Sequence, residues 1–263
     1  MEIKFKWIGA ATFILQVNSI KIACDPVLCK KGTIQNYTWF KSKRIEDPVY
    51  KEVDFDEIDL WFLTHAHEDH LDKFGAEKVK KESHIISEKK AAKKLLKTGI
   101  EYPLLQTMDW GERIKINLKD CIITIKAIPA IHGRRSYSSF FAGKVNGYFV
   151  ELQFPNESFS IYITGDTVLK NNVVEALKKE YISLMIPNLG AVKKNTWMDL
   201  LTMDMDMMLA MNEILEPEYI IPVHYNTFSH YVEKKEAIVT KSPDNMVISD
   251  LGVETGLSYS CKI

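Results

Sequence analysis

Residues 64–70 read Thr-His-Ala-His-Glu-Asp-His, which places three histidines and an aspartate in the pattern H-x-H-x-D-H. The pattern directly follows an apolar run, Leu-Trp-Phe-Leu, which predicts a short buried strand and therefore a rigid start. Because side chains two residues apart point the same way in extended backbone, His65 and His67 can share one metal ion. The chain then turns, so that Asp69 and His70 can face a second point nearby. The spacing therefore predicts a metal site at the end of a strand.

Three further residues of the same chemistry follow predicted strands elsewhere in the chain. His132 lies in Pro-Ala-Ile-His-Gly, Asp166 in Ile-Thr-Gly-Asp-Thr and His224 in Ile-Pro-Val-His-Tyr. A single histidine after a strand is usually structural, but four strand ends that deliver histidine and aspartate to one rim favour a shared site. Imidazole nitrogen and carboxylate oxygen are natural ligands of zinc, and also of manganese and iron. The sequence therefore offers enough ligands for two metal ions.

The composition is that of an ordinary globular protein. The chain has 263 residues, of which 46% are hydrophobic and 26% charged, and this excludes a disordered or collagen-like protein. Lys and Arg number 34 against 35 Asp and Glu, so the net charge is −1 and bulk charge does not favour nucleic acid as a partner. The length fits one large domain or two small ones.

The N-terminus and the cysteines indicate a cytoplasmic protein. The first seven residues read M-E-I-K-F-K-W, an alternation typical of a strand and not of a signal peptide. No apolar stretch reaches the roughly 18 residues that a membrane span needs. The 4 cysteines form no C-x-x-C pair, which argues against thiolate zinc and favours buried, reduced thiols.

The hydrophobic pattern alternates groups of strands with groups of helices. Apolar or alternating runs predict strands at 2–8, 12–17, 20–25, 60–63, 84–86, 113–128, 147–164, 182–186 and 219–223. Helical patterns occur at 76–82, 88–98, 171–179 and 202–215. The methionines near the last of these helices are expected to pack in the core. Because both halves of the chain must supply ligands to one site, we expect residues 1–263 to form a single domain.

These motifs resemble the metallo-β-lactamase superfamily. The T-H-A-H-E-D-H stretch, the later His132, the G-D-T at Asp166 and the P-V-H-Y at His224 carry the resemblance. The start W-I-G-A-A-T-F at 7–13 and Asp25-Pro26 are similar to the branch that holds L-ascorbate-6-phosphate lactonase, N-acyl-phosphatidylethanolamine phospholipase D and many uncharacterised metal-dependent hydrolases. The resemblance implies an α/β fold of four layers, an αββα sandwich whose two mixed sheets pack face to face with helices outside and metals at one edge.

The resemblance also implies a role for each candidate ligand. It assigns the first metal to His65, His67 and His132, the second metal to Asp69, His70 and His224, and a bridge between them to Asp166. It places Asp25 beside the metals, where its carboxylate would hold a histidine. Members of the branch often have histidine where this chain has Ala10, a departure that bears on the substrate contacts and not on the metal ligands.

Two divalent metals would make the protein a hydrolase. Metal ions lower the pKa of bound water and polarise the scissile bond, so that hydroxide can attack an ester, a lactone or a phosphodiester near neutral pH. Asp69 is the candidate catalytic residue, which would orient the nucleophile and carry a proton. Zinc is the expected metal, with manganese or iron as alternatives. We expect a small, anionic substrate.

Candidate substrate contacts follow two of the histidines. Arg134 and Arg135 come after His132, and an arginine fork near a metal site suits phosphate or carboxylate, although a surface pair is an equal alternative. Tyr225 follows His224 directly and is a candidate to line the pocket. His230 is also near His224 in sequence and could line the pocket, but a surface position of a helix is the favoured expectation.

Other classes of function stay open. A nuclease of the tRNA-processing kind would share the motif but usually carries an RNA-gripping arm, and only the nine lysines at 73–97 favour it here. Flavodiiron reductases usually have glutamate where this chain has His67, and they carry a flavin domain for which there is no room. A non-catalytic metal-binding module would be expected to lose ligands. Members of the similar branch often form homo-oligomers, and the sequence leaves the oligomeric state open.

Overall fold

The strand that precedes the H-x-H-x-D-H motif belongs to a seven-stranded mixed sheet. The computed structural model describes residues 1–37, 40–133, 143–193 and 200–259. Within these ranges the sheet consists of β1 (Glu2–Gly9), β2 (Thr12–Val17), β3 (Ile20–Cys24), β6 (Leu60–Leu63), β7 (His84–Ser87), β8 (Leu105–Thr107) and β15 (Glu254–Ser258). Its order is β15-β1-β2-β3-β6-β7-β8. The pairs from β15 to β3 are antiparallel, and those from β3 to β8 are parallel.

A second mixed sheet has six strands. They are β9 (Arg113–Leu118), β10 (Cys121–Ala130), β11 (Val145–Gln153), β12 (Ser158–Ile163), β13 (Leu184–Ile186) and β14 (Tyr219–Ile220), in the order β14-β13-β12-β11-β10-β9. The pairs from β9 to β12 are antiparallel, and the last two are parallel. A separate hairpin joins β4 (Ile34–Asn36) to β5 (Lys41–Lys43).

Alternate side chains of β6 face two different cores. Leu60 and Phe62 pack in the larger core, where the Phe62 ring lies 4.9 Å from that of Tyr148 on the opposite sheet. Trp61 and Leu63 point the other way into a smaller core. Burial on both faces explains why this strand is apolar at every position.

Helices cover the sheets on their outer sides. They are α1 (Lys73–Ala76), α2 (Lys89–Leu95), α3 (Asn171–Leu177), α4 (Met205–Leu215) and α5 (Lys235–Lys241). Ala76 of α1 and Leu95 of α2 close the smaller core on the seven-stranded sheet. On the other sheet, α3 packs against β10, where Lys126 Nζ donates to the carbonyl of Ala176 at 2.6 Å. The predicted α/β fold with two mixed sheets and outer helices is confirmed.

The helix predicted at 76–82 is wrong. The observed helix is the short α1, because the Asp72 carboxylate accepts from the backbone N–H of Gly75 at 2.7 Å and starts the helix several residues earlier. Val79 then turns inward to fill the smaller core, which ends the helical path. At α4 an equivalent cap from Asp204 to the N–H of Met207 delays the start to residue 205.

The methionines near α4 pack as the sequence predicts. Met203, Met205, Met208 and Met211 are buried in the larger core, and Met198 lies outside the described residues. Three cysteines, Cys24, Cys29 and Cys121, are buried free thiols, and Cys261 also lies outside those ranges. None of the helices in the described ranges combines the length and the apolar character that a bilayer crossing demands.

Substitution of Gly75 tests the packing of α1 against Pro26, which follows β3. A Cβ at this position would lie 2.0 Å from the carbonyl oxygen of Pro26, which is backbone and cannot move aside cheaply. We expect Gly75→Ala to lower the free energy of unfolding by about 3 kcal/mol, as overpacking against fixed atoms does. Urea denaturation measures the change.

Gly256→Ala is the matched control for that substitution. A Cβ at Gly256 would meet its nearest atom at 4.0 Å, so its midpoint should stay near that of the parent protein. Equal midpoints for the two variants would contradict the packing of α1 on Pro26.

Candidate metal centre

The turns that carry the candidate ligands begin at neighbouring strand ends. Asp25 follows β3 and Thr64 follows β6, and these strands pair in parallel. The backbone N–H of Asp25 donates to the carbonyl of Phe62 at 2.9 Å, while the carbonyl of Thr64 accepts from the N–H of Asn146 on the second sheet at 3.0 Å. The motif turn therefore lies where one edge of each sheet meets the other.

Seven side chains converge at this edge. Their ligand atoms fall into three groups, in each of which the atoms lie within 4.8 Å of one another: His65 with His67 and His132, His65 with His70 and Asp166, and Asp69 with His70 and His224. Six of the seven side chains are buried and one, His67, is half-buried. These are the seven residues that the sequence analysis predicts as ligands, and the structure brings all of them together.

Hydrogen bonds fix which imidazole nitrogens face the centre. His132 Nδ1 lies 2.9 Å from the carbonyl oxygen of Leu201, which can only accept, so Nδ1 carries the proton. His70 Nδ1 lies 2.7 Å from Asp25 Oδ2, which likewise makes Nδ1 the donor. In both rings Nε2 faces the other ligands, where its lone pair can bind a cation when the ring is neutral.

Thr64 sets the orientation of His65. The Thr64 hydroxyl donates to Asp25 Oδ2 at 2.5 Å, and its oxygen then accepts from His65 Nδ1 at 3.0 Å. His65 Nε2 therefore faces the centre, where it lies 3.0 Å from His67 Nδ1. The same carboxylate of Asp25 also accepts from the backbone N–H of Thr64 at 2.7 Å, so one buried aspartate orients two histidines.

His224 enters the centre from the loop after β14. Its backbone has φ +66°, and its N–H donates to the carbonyl of Ala10 at 2.9 Å. A Cβ at Gly190 would lie 2.9 Å from His224 Nδ1, so the ring fits only because residue 190 has no side chain. His224 Nε2 then lies 3.0 Å from His70 Nε2 and 3.3 Å from Asp69 Oδ2.

The two oxygens of Asp166 face different histidines. Oδ2 lies 3.9 Å from His65 Nε2 and 3.7 Å from His132 Nε2. Oδ1 lies 3.2 Å from His70 Nε2 and 3.6 Å from His224 Nε2, and it also accepts from the Asn188 amide at 2.9 Å. One carboxylate therefore stands between two sets of nitrogen atoms.

Burial and neighbouring charges shift the pKa values of the histidines in different directions. Burial holds the pKa of His65 well below its ordinary value, lowers that of His132 and lowers that of His67 to about 3. Burial also lowers the pKa of His70, but the carboxylates of Asp166 and Asp25 outweigh it and hold this pKa well above the ordinary value.

The carboxylates shift in the opposite sense. Burial raises the pKa of Asp69 and of Asp166, but neighbouring histidines outweigh burial and hold both values well below the usual range. Both groups are therefore ionised acceptors. Within the described residues, Asp69 Oδ1 is buried and has no hydrogen-bond donor. A buried anionic oxygen without a donor, beside converging imidazole lone pairs, fits a divalent cation.

The structure supports none of the predicted substrate contacts, in contrast to the predicted ligands. Arg134 and Arg135 lie outside the described residues and stay predictions. The structure does not support Tyr225 as a contact, because its fully buried ring lies 4.5 Å from that of Trp7 in the larger core. Ala10, where histidine is common in the similar branch, is buried and packs in one small cluster with Tyr231.

The sequence does not predict that two further residues contact Asp69. The expected surface helix position of His230 is wrong, because this residue lies in a turn outside any helix and its Nε2 is 3.1 Å from Asp69 Oδ2. The hydroxyl of Tyr231 donates to the same oxygen at 3.1 Å. Both residues lie within seven positions of His224, and that proximity is the only sequence signal that points to them.

Three known proteins are similar to this chain in sequence or in fold. The chain is 25% identical over 194 residues to a metal-dependent hydrolase of Nanoarchaeum equitans, which covers 72% of this chain and 78% of that protein. It is 24% identical to N-acyl-phosphatidylethanolamine-hydrolyzing phospholipase D 1 of Caenorhabditis elegans over 88% of this chain and 67% of that protein. The crystal structure of an isothiocyanate hydrolase from Delia radicum gut bacteria superposes with a TM-score of 0.79 at 22% identity, covering 97% of this chain and all of that one.

The fold and the clustered ligands define a protein of the metallo-β-lactamase type. Residues 21–225 match the family described as the beta-lactamase superfamily domain, and the chain belongs to that family. The matched range includes all seven candidate ligands. The family that the motifs resemble is thereby confirmed.

Asp25→Asn tests whether this residue supports the centre. The amide keeps the size of the side chain but loses the charge that holds the His70 Nδ1 proton. We expect the affinity for zinc to fall about 10- to 100-fold, as it does when such supporting carboxylates are removed. Chelator competition measures the affinity. Asp56→Asn, at a carboxylate that pairs with Lys80 on the surface, is the control, and equal affinities in both variants would contradict the role of Asp25.

The raised pKa of His70 predicts that metal binding releases a proton. Below this pKa the imidazole is protonated and Nε2 cannot bind a cation, so affinity should increase as the pH rises towards it. The other imidazoles whose pKa is lowered are already neutral. Calorimetry in buffers of different ionisation enthalpy at about pH 7 should detect the release of about one proton per chain. A pH-independent affinity without proton release would contradict the raised pKa of His70.

Proposed function

We propose that this protein is a hydrolase that uses two divalent cations to cleave an ester, lactone or phosphodiester bond of a small anionic substrate. The observation that carries the proposal is the position of Asp166, whose two oxygens face two different pairs of imidazole nitrogens. A carboxylate in this position suits a bridge between two cations. We further propose that residues 1–263 act as a single domain, since both sheets supply ligands.

Each cation has a distinct set of proposed ligands. The first would be held by His65, His67 and His132, and the second by Asp69, His70 and His224, with Asp166 shared. When bound, such a pair supplies hydroxide near neutral pH and polarises the scissile bond. Nitrogen and oxygen donors suit zinc best, and manganese or iron as alternatives.

Asp69 is the proposed catalytic residue of this chain. Its low pKa means that it stays ionised, so it accepts a hydrogen bond more readily than it carries a proton. This favours the first of its two expected roles, the orientation of the attacking oxygen. Its burial excludes competing water from the carboxylate.

The lysines at 73–97 give little support to a nuclease. Lys78, Lys80 and Lys94 pair with Glu52, Asp56 and Glu68 at 2.6 to 2.8 Å, so much of their charge is already matched. A small substrate fits this surface better than a polyanion does. The phospholipase D relative, by its name, cleaves a phosphodiester, which makes that bond the first to try. The complete ligand set argues against a non-catalytic module.

Metal removal and restoration test the proposal. The protein would be stripped with a chelator and reloaded separately with zinc, manganese or iron, then assayed on a bis-phosphodiester and a panel of lactones and esters. We expect at least one substrate to be cleaved only after reloading. Activity of the metal-free protein equal to that of the reloaded protein would refute the mechanism.

The variant His67→Ala tests whether that activity depends on the metal centre. The variant should lose metal together with about 100-fold or more of the activity, because one of three nitrogen ligands of a cation is gone. Metal analysis by mass spectrometry accompanies the assay. His84→Ala, at a histidine of β7 that belongs to none of the ligand groups, should keep both.

A further inference from the structure

Asp69 is held by two side chains that are not candidate ligands. Its Oδ2 atom lies 3.1 Å from His230 Nε2 and 3.1 Å from the hydroxyl of Tyr231, in addition to the 3.3 Å contact with His224. The hydroxyl of Tyr231 donates to this oxygen, and the imidazole N–H of His230 is placed to donate to it as well. Two consecutive residues therefore hold one oxygen of a proposed ligand by hydrogen bonds.

His230 is itself firmly placed. Its Nδ1 lies 2.5 Å from the hydroxyl of Ser42 in β5, so the ring bridges the small hairpin and Asp69. The rings of Tyr37, Phe40 and Phe228 surround it at 5.4, 5.5 and 5.8 Å between centroids. Only 8% of the side chain is exposed. A histidine fixed on both nitrogens and enclosed by aromatic rings has little freedom to turn.

Tyr231 reaches Asp69 from the interior. Its side chain is 1% exposed, and its ring lies 4.1 Å from that of His224. The side chain of Ala10 belongs to the same buried cluster, where a small residue leaves space for the tyrosine. The hydroxyl is therefore delivered to the carboxylate by the same loop that carries His224.

We propose that His230 and Tyr231 are positioning residues that fix the carboxylate of Asp69 for the second cation. With Oδ2 held by two donors, the carboxylate resists rotation, so that Oδ1, which is buried and has no donor among the described residues, keeps its direction. The inference rests on the proposed metal pair and adds the residues that orient one member of its ligand set.

The contacts predict a selective effect. Among the described residues, His230 and Tyr231 contact Asp69 and His224 of the second group and make no hydrogen bond or ring contact with His65 or His132. Loss of either donor should therefore lower the affinity for the second cation and leave the affinity for the first unchanged. A residue that only stabilised the fold would not separate the two.

Four variants test this with zinc titration by calorimetry and with the visible spectrum of the cobalt-substituted protein. Tyr231→Phe removes one donor and keeps the ring, and His230→Ala removes the other. His230→Gln keeps an N–H that can reach Asp69 and serves as the rescue. Tyr225→Phe is the matched control, because this buried tyrosine hydroxyl has no hydrogen-bond partner in the part of the chain that the structure describes.

We expect Tyr231→Phe and His230→Ala each to lower the affinity for one of two zinc ions about 10-fold. In the cobalt-substituted protein, each variant should change the absorption of one of the two ions. His230→Gln should restore most of the affinity, and Tyr225→Phe should match the parent protein. Two zinc ions of unchanged affinity in both loss variants would overturn the positioning role. Equal weakening of both ions together with a lower urea midpoint would also overturn it, as a structural effect. A parent protein that binds no metal would instead refute the proposed function.

Discussion

The carboxylate of Asp25 is the contact on which the geometry of the centre depends. It accepts from the backbone N–H and the hydroxyl of Thr64 and from Nδ1 of His70, and through the hydroxyl it orients His65. Its burial makes every one of these bonds costly to lose, since an unpaired donor in the interior costs about 1–3 kcal/mol. The parallel pairing of β3 with β6 places Asp25 beside the motif, and the packing of α1 on Pro26 holds it there.

Much of the fold and of the site could be predicted because the signals are local. The apolar run at 60–63 is buried on both faces, and the H-x-H spacing in the turn after it brings His65 and His67 together whatever the distant chain does. His132, Asp166 and His224 were weaker signals singly, and the resemblance to a known family joined them. Their meeting depends on two sheets sharing an edge, which no spacing encodes.

The failures come from contacts that are distant in sequence. The position of the His230 side chain is set by its hydrogen bonds to Ser42 and Asp69, which lie 188 and 161 residues away along the chain. No local sequence pattern could therefore indicate this position. Tyr225 follows a ligand directly, yet its ring lies in the core against Trp7, a contact that is distant in sequence. The Asp72 cap starts α1 earlier than the pattern predicts, and the burial of Val79 competes with helical propensity after it.

The most direct test of the central claim is anomalous X-ray diffraction from crystals of the purified protein at the absorption edges of zinc, manganese and iron. The account predicts two peaks in the anomalous difference map, one held by His65, His67 and His132 and the other by Asp69, His70 and His224, with Asp166 between them. A single peak, no peak, or peaks held by other residues in crystals of metal-loaded protein would contradict it.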